Sequence, residues 1–116
     1  MATKKKNYAK LALALHKKLR GKVSVMPKIP VTNKEDLAIV YTPGVGAVSS
    51  HLATHPKETA KYTMKGNMVA VVSDGSAVLG LGNIGPEAAL PVMEGKAMLF
   101  KALAGVDAFP IVLATQ

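Results

Sequence analysis

The chain has 116 residues, 49% of them hydrophobic, which is room for one small domain with a buried core and too little for two. It contains no cysteine, which excludes disulfides, thiolate nucleophiles and Cys-ligated zinc and suits a reducing, cytoplasmic setting. The net charge of +8 is uneven, because residues 1–28 hold nine Lys or Arg and no acid while the remainder holds six Lys against seven Asp or Glu.

A basic arm of this kind could meet nucleic acid, anionic lipid or an acidic partner. Aromatic residues are only 4% of the chain, too few to supply stacking platforms, so nucleic acid is not an expected partner. No apolar run nears the roughly 20 residues needed to span a bilayer, so no membrane partner is expected either. "LALAL" at 11–15 is too brief for a signal segment and runs straight into "HKKLR". The first 22 residues have one Arg and no Ser, unlike a mitochondrial presequence.

In chain order, "NYAKLALALHKKLRGK" predicts a helix. Tyr8, Leu11, Leu15 and Leu19 recur at spacings of three and four and share one face, with Lys10, Lys17, Lys18, Arg20 and His16 left to water. Gly21 is a C-terminal stop. "VSVMPKIPV" cannot be helical through Pro27 and Pro30 and reads as an extended connector or edge strand. Thr32 or Asn33 caps the next helical segment, with Glu35 and Asp36 in its first turn, and Pro43 ends it after Tyr41. Gly44 and Gly46 let the chain turn into a helix over Val45–Thr54, and Pro56 opens a short one over "PKETAKYTM".

"NMVAVVSD" is a β-branched run of buried-strand type that ends in the turn pair Asp74-Gly75. "AVLGLG" is a candidate second short strand. Pro86 then starts a helix to about Ala104, Gly105 ends it, and "DAFPIVLAT" is a further buried strand. Strand, helix and strand make a right-handed βαβ unit, so the fold class is α/β. There is no internal repeat.

Gly80, Gly82 and Gly85 have the spacing of a dinucleotide-binding turn, G-x-G-x-x-G. The context is wrong for it. Five residues separate Asp74 from Gly80, Pro86 follows the third glycine directly, and Asp107 precedes the second strand, where a ribose-binding acid should follow it. Two readings remain: plain turn glycines, or glycines that bring backbone close to a substrate while opening a helix whose N-terminal amides favour an anion. His51 and His55 lie four apart like a helical metal pair. Leu52 stands where the Glu of H-E-x-x-H would be and no third ligand is evident, so a solvated helix face is expected. Lys96 interrupts a helix of apolar or small residues, next to a Gly95 that costs about 1 kcal/mol relative to Ala. It is either a lysine snorkelling to water or a desolvated amine that acts as a base near neutrality. Tyr41, before Pro43-Gly44, either packs in the core or projects into a cleft. Arg20 is the only arginine, so a carboxylate clamp in the domain would use Lys or backbone amides.

"YTPGVGAVSS" followed by "KYTMKGNMVAVVSDGSAVLGLGNIGPEAALPVMEGKAMLFKALAGVDAFPIVLAT" closely resembles the N-terminal domain of malic enzymes, most of all the short bacterial-type branch. The resemblance covers about Val23 to Gln116. It implies oxidative decarboxylation of L-malate to pyruvate and CO2 with NAD or NADP and a divalent metal, Mg2+ or Mn2+. It implies a three-layer α/β sandwich with a mostly parallel sheet, incomplete here. Residues 1–22 would be a basic helix at an oligomer contact, in a homodimer, and residues 23–116 the malate-binding domain. Tyr41 of "YTPGV" matches the family's catalytic tyrosine, a general acid, and Lys96 of "MEGKA" its catalytic lysine, a general base. The glycine turn would lie near malate, with Gly80, Gly82 and Asn83 as substrate-binding candidates, while the dinucleotide sits on a separate C-terminal Rossmann domain. An arginine of the larger eukaryotic branch aligns with Ala77, which leaves the carboxylate contacts unassigned. The metal-binding carboxylates and the Rossmann domain are expected beyond Gln116, so no metal or cofactor site is expected in this chain and the chain alone is expected to be inactive. The alternative of another class is a non-catalytic dimerisation module with a basic arm.

Overall fold

The computed structural model describes residues 6–116. The first five, part of the expected basic helix segment 1–22, lie outside the described residues. The chain divides into two compact units, one of residues 24–69 and one that combines residues 1–23 with 70–116.

In the second of these units, helix α1 runs Tyr8–Leu19. Asn7 caps it, its side chain accepting the Lys10 N–H at 3.0 Å, and His16, Lys17 and Lys18 sit in the last turn, where cations suit the helix dipole. Tyr8, Leu11, Leu15 and Leu19 are all more than half exposed or at that limit, so the predicted apolar face exists and is exposed among the described residues. Two left-handed residues, Arg20 (φ 57°) and Gly21 (φ 96°), reverse the chain after it.

Strand β1 (Met68–Ser73), helix α5 (Gly85–Ala104) and strand β2 (Asp107–Val112) form the βαβ unit. The two strands make a parallel sheet, and the Leu113 N–H donates to the Ser73 carbonyl at 2.9 Å. Pro110, which has no N–H to give, is tolerated in β2 because a two-stranded sheet has only edge strands. Helix α5 packs on β2. It buries Ala89, Met93 and Ala97, four apart on one stripe; with Val78 these are the buried hydrophobic residues among those described. Pro91 lies inside α5 without breaking it, at the expense of the amide that would serve the carbonyl four residues back. Gly105 (φ 65°) closes the helix, with the Val106 N–H returning to the Phe100 carbonyl at 3.3 Å.

The candidate strand "AVLGLG" is not one. The Val78 N–H donates to the Gly82 carbonyl and the Leu81 N–H to the Val78 carbonyl, both at 2.9 Å, which closes the segment on itself. Leu79 (φ 50°) and Gly82 (φ 72°) are left-handed, and left-handed residues cannot continue a strand.

In the unit of residues 24–69, helices α2 (Lys34–Val40) and α3 (Gly44–Thr54) meet across a short turn, followed by a single turn at Pro56–Glu58, helix α4 (Thr59–Tyr62) and a turn at Met64–Gly66. Asn33 caps α2 by accepting the Asp36 N–H at 2.9 Å, and the Asp36 carboxylate accepts both the N–H and the hydroxyl of Thr32. Gly44 belongs to α3 rather than to the turn before it. A Cβ there would meet the Ile39 and Ala38 carbonyl oxygens at 2.5 and 2.7 Å, so only glycine lets α3 start this close under the end of α2. Gly46 also lies in α3, with open space beside it. No residue of this unit is fully buried.

Gly75 holds the βαβ unit together at its turn. It has φ 74°, and a Cβ on it would fall on the Gly85 carbonyl, with the Pro86 nitrogen at 2.8 Å. Gly75→Ala is expected to destabilise the chain by more than about 2 kcal/mol, since left-handed strain and a backbone clash add. Gly46→Ala should stabilise it by about 0.5–1 kcal/mol. Urea unfolding followed by circular dichroism checks both, and equal midpoints for the two variants would contradict the assignment.

Candidate active site

Tyr41 and Lys96 fall in different compact units, Tyr41 in residues 24–69 and Lys96 in residues 70–116. Tyr41 ends α2. Its N–H donates to the Leu37 carbonyl at 2.9 Å, its own carbonyl accepts the Val45 N–H at 2.7 Å, and the Thr42–Pro43 bond beside it is cis. The backbone is thus fixed on both sides while the side chain stands 64% exposed: it projects, and is not a core residue.

Lys96 rides on α5 one residue before buried Ala97, and is exposed. Leu99, Phe100 and Leu103, three, four and seven residues on, share its side of the helix and are 51%, 44% and 82% exposed. Lys96 therefore stands in an apolar stripe that is open among the described residues of its own unit. The space beside Gly95 holds only the Lys22 stem, whose Cε would be 4.0 Å from a Cβ, an ordinary contact.

The glycine turn links the Asp74 corner to α5. The Gly75 carbonyl accepts the N–H groups of Ile84 and Gly85 at 3.1 and 3.3 Å. Gly82 and Gly85 (φ 79°) are required by their backbone conformation, whereas Gly80 has an ordinary φ and nothing within 4 Å of where a Cβ would stand. Asn83 exchanges two amide hydrogen bonds with Gln116, at 2.8 and 3.0 Å, which uses half of its side chain's donors and acceptors. Gly85 and Lys96 are about 16 Å apart along the helix axis, from eleven residues at 1.5 Å each. Leu79, left-handed and 79% exposed, is a strained non-glycine position that the apolar pattern of "AVLGLG" concealed.

Asp74 closes a side-chain turn, its Oδ1 accepting the Ser76 hydroxyl at 2.7 Å and the Ser76 N–H at 2.9 Å. These bonds, the hydroxyl's first, hold its carboxyl below the ordinary aspartate value. His51 is not the solvated ring its spacing predicts. Its Nε2 lies 2.8 Å from Glu58 Oε2, its ring stacks on His55 at 4.4 Å, and Tyr62 tilts against it at 5.0 Å. The turn at Pro56 folds Glu58 back to α3, which the helical spacing of two histidines could not reveal. Glu58, bonded to His51 and then to Lys61 at 3.0 Å, is held below the ordinary glutamate value. His16 is also held rather than free, by the Ala12 carbonyl and Lys22. Among the described residues no three His, Asp or Glu side chains converge to hold a metal, and no helix is long and apolar enough to cross a membrane.

The sequence profile of the family described as malic enzyme, N-terminal domain, matches residues 20–116. The chain belongs to the malic enzyme family. It is 61% identical over 105 residues to the bifunctional malic/malolactic enzyme of Bacillus subtilis, covering 90% of this chain and 26% of that protein. It is 62% identical over 96 residues to the NAD-dependent malic enzyme of Geobacillus stearothermophilus, covering 83% of this chain and 20% of the relative. The solved structure of the NAD-dependent malic enzyme from Thermotoga maritima superposes with a TM-score of 0.86 at 56% identity, over 90% of this chain and 29% of that one. Other relatives are named NADP-dependent malic enzymes. The helices and small parallel sheet are thus the fold of the malic enzyme N-terminal domain, and the chain spans about a quarter of the length of these relatives. Both Tyr41 and Lys96 lie inside the matched span.

Because the Asp74 carboxyl titrates lower folded than unfolded, its contribution to stability is whole above the ordinary aspartate value, about 3.9. It drains away as pH falls through the lowered folded value. Ser76→Ala removes the first of its causes, so NMR titration of Asp74 is expected to move up towards the ordinary value in that variant. An unmoved titration would show that Ser76 does not hold the charge.

Proposed function

We propose that this chain is the N-terminal part of a malic enzyme that converts L-malate to pyruvate and CO2, with NAD or NADP as hydride acceptor and Mg2+ or Mn2+ as the metal. The observation that carries the reading is the family match over residues 20–116, which includes the segments "YTPGV" and "MEGKA" intact. Neither cofactor fits the described residues. The glycine turn follows a closed loop rather than a strand, and no three carboxylate or imidazole side chains converge among them.

The chain's own side chains carry proton transfers. The Lys96 amine takes the proton of the malate C2 hydroxyl, and the Tyr41 phenol delivers a proton to C3 of the enol left when CO2 departs. A lysine serves as a base only when its amine is neutral, and desolvation is one route to that state. The open stripe of Leu99, Phe100 and Leu103 supports this role, since whatever covers it removes water from around Lys96. Gly80 and Gly82 keep space open beside the turn, which suits a substrate approaching backbone. Asn83, bonded to Gln116 through one N–H and one lone pair, keeps a second of each for a substrate.

In the full-length enzyme, Lys96→Ala is expected to lower kcat by about 10²–10⁴-fold with the fold retained. Tyr41→Phe should impair enol protonation more than nucleotide reduction, and Gly80→Ala should raise KM for malate without changing stability. The 116-residue chain alone should not reduce NAD or NADP with malate and Mn2+. Turnover by that chain, or unchanged enol-to-pyruvate conversion in Tyr41→Phe, refutes the corresponding part.

A homodimer belongs to the same proposal. The uncovered Tyr8, Leu11, Leu15 and Leu19 face of α1 supports it, because four such side chains in a row are costly to leave in water. Sedimentation at micromolar concentration is expected to give a dimer that Leu11→Lys dissociates; a monomeric parent chain counts against it.

A further inference from the structure

His16 has two partners with opposite demands. Its Nδ1 lies 2.7 Å from the Ala12 carbonyl, which only accepts, so Nδ1 carries a proton and donates. Its Nε2 lies 2.6 Å from Lys22 Nζ. An ammonium only donates, so Nε2 must offer its lone pair, and these partners together assign a neutral ring. Lys22 Nζ also donates to the Pro91 carbonyl of α5 at 2.7 Å, and the Lys22 backbone N–H donates to Glu94 Oε2 at 3.0 Å. Lys22 therefore joins α1 to α5 through one ammonium.

The geometry around it makes that junction tight. Gly21, at φ 96°, turns the chain back on itself, and a Cβ there would meet Glu94 Oε1 at 2.6 Å. Within a single chain, packing does little to hold α1 in its place, since its apolar face is exposed among the described residues. We propose that His16, Lys22 and Pro91 form an acid-sensitive latch, which fastens the first helix to α5 while the His16 ring is neutral and releases it when the ring is protonated. A second ring proton turns Nε2 from acceptor to donor and sets a second positive charge against the ammonium. Imidazole is the side chain whose ordinary titration falls near neutrality. The other charges around the ring do not rescue the contact. Lys17 and Lys18 on its own helix, and Arg20 in the connector, are cations, and Glu94, the acid that α5 brings to this junction, is engaged by the Lys22 amide. This latch stands independently of the malate reading.

Amide hydrogen exchange on the full 116-residue chain tests it, read as protection factors at Gly21 and Lys22 at about pH 7.5 and about pH 5.5, either side of the imidazole range. The expected result is a loss of protection of roughly tenfold at the acid pH, the size of one charge-assisted hydrogen bond. His16→Gln offers a carbonyl acceptor that does not titrate, so its protection should be equal at both pH values. Lys22→Met should show the low protection at both. An equal acid loss in His16→Gln would place the titration elsewhere, at His51, His55 or a carboxylate, and would overturn the latch. So would full protection at both pH values in the parent chain, or its absence at both.

Discussion

Gly75 and Gly85 meet backbone to backbone, and the rest of the βαβ unit is arranged around that closure. The Gly75 carbonyl takes the Ile84 and Gly85 N–H groups, and Pro86, next in the chain, has no N–H to satisfy. The start of α5 is therefore fixed to the end of β1 without a side-chain cap. Once that end is set, the 3.6-residue period decides the remainder: Ala89, Met93 and Ala97 turn to the sheet, and Lys96 is carried out on the flank with Leu99 and Leu103. A bulkier residue at Gly75 would shift the helix origin by a backbone clash, and with it the position of the amine three turns away, while one at Gly85 would strain that origin through its positive φ.

Burial is thin by comparison with what the composition allows. Four hydrophobic residues are buried among those described, all in the βαβ unit, while whole faces of α1 and α5 stay in water. At roughly 25 cal/mol per Å2 of apolar surface, such faces represent free energy that a covering surface would recover. For Lys96 the consequence is chemical as well as energetic. Burial among apolar groups disfavours the charged form of an amine, so a surface closed over this stripe would favour the neutral amine that the proposed base role requires. Covering the surface and activating the lysine would then be one event, which fits a family whose members are several times longer than this chain.

Much of this was legible in the residues. Asn33 with Asp36, Pro86 and Gly105 marked helix boundaries through local chemistry that tertiary contacts did not override. The resemblance carried by "YTPGVGAVSS" and "MEGKAMLF" reached the family, as the match over residues 20–116 bears out. What failed was long-range or conformational. "AVLGLG" alternates like a strand, but a left-handed Leu79 is invisible to hydrophobic periodicity. The partners of His16 and His51 were not legible, because Lys22 and Glu58 arrive by way of turns at Gly21 and Pro56. The helix expected from Pro86 to about Ala104 runs through Pro91 unbroken, packed on β2.

The three glycines of "GLGNIG" show why a spacing pattern underdetermines chemistry. In a dinucleotide site each glycine answers a demand made by the ligand or by a strand-to-helix turn. Here Gly82 and Gly85 answer a demand of the backbone, their positive φ, which the loop imposes with or without a ligand. Gly80 answers neither, having an ordinary φ and no neighbour within 4 Å of a side chain's first carbon. Nothing in the described chain asks for glycine at that position. If the position needs glycine, the need comes from something that approaches from outside the chain, and the substrate is the approach that the malic enzyme reading supplies.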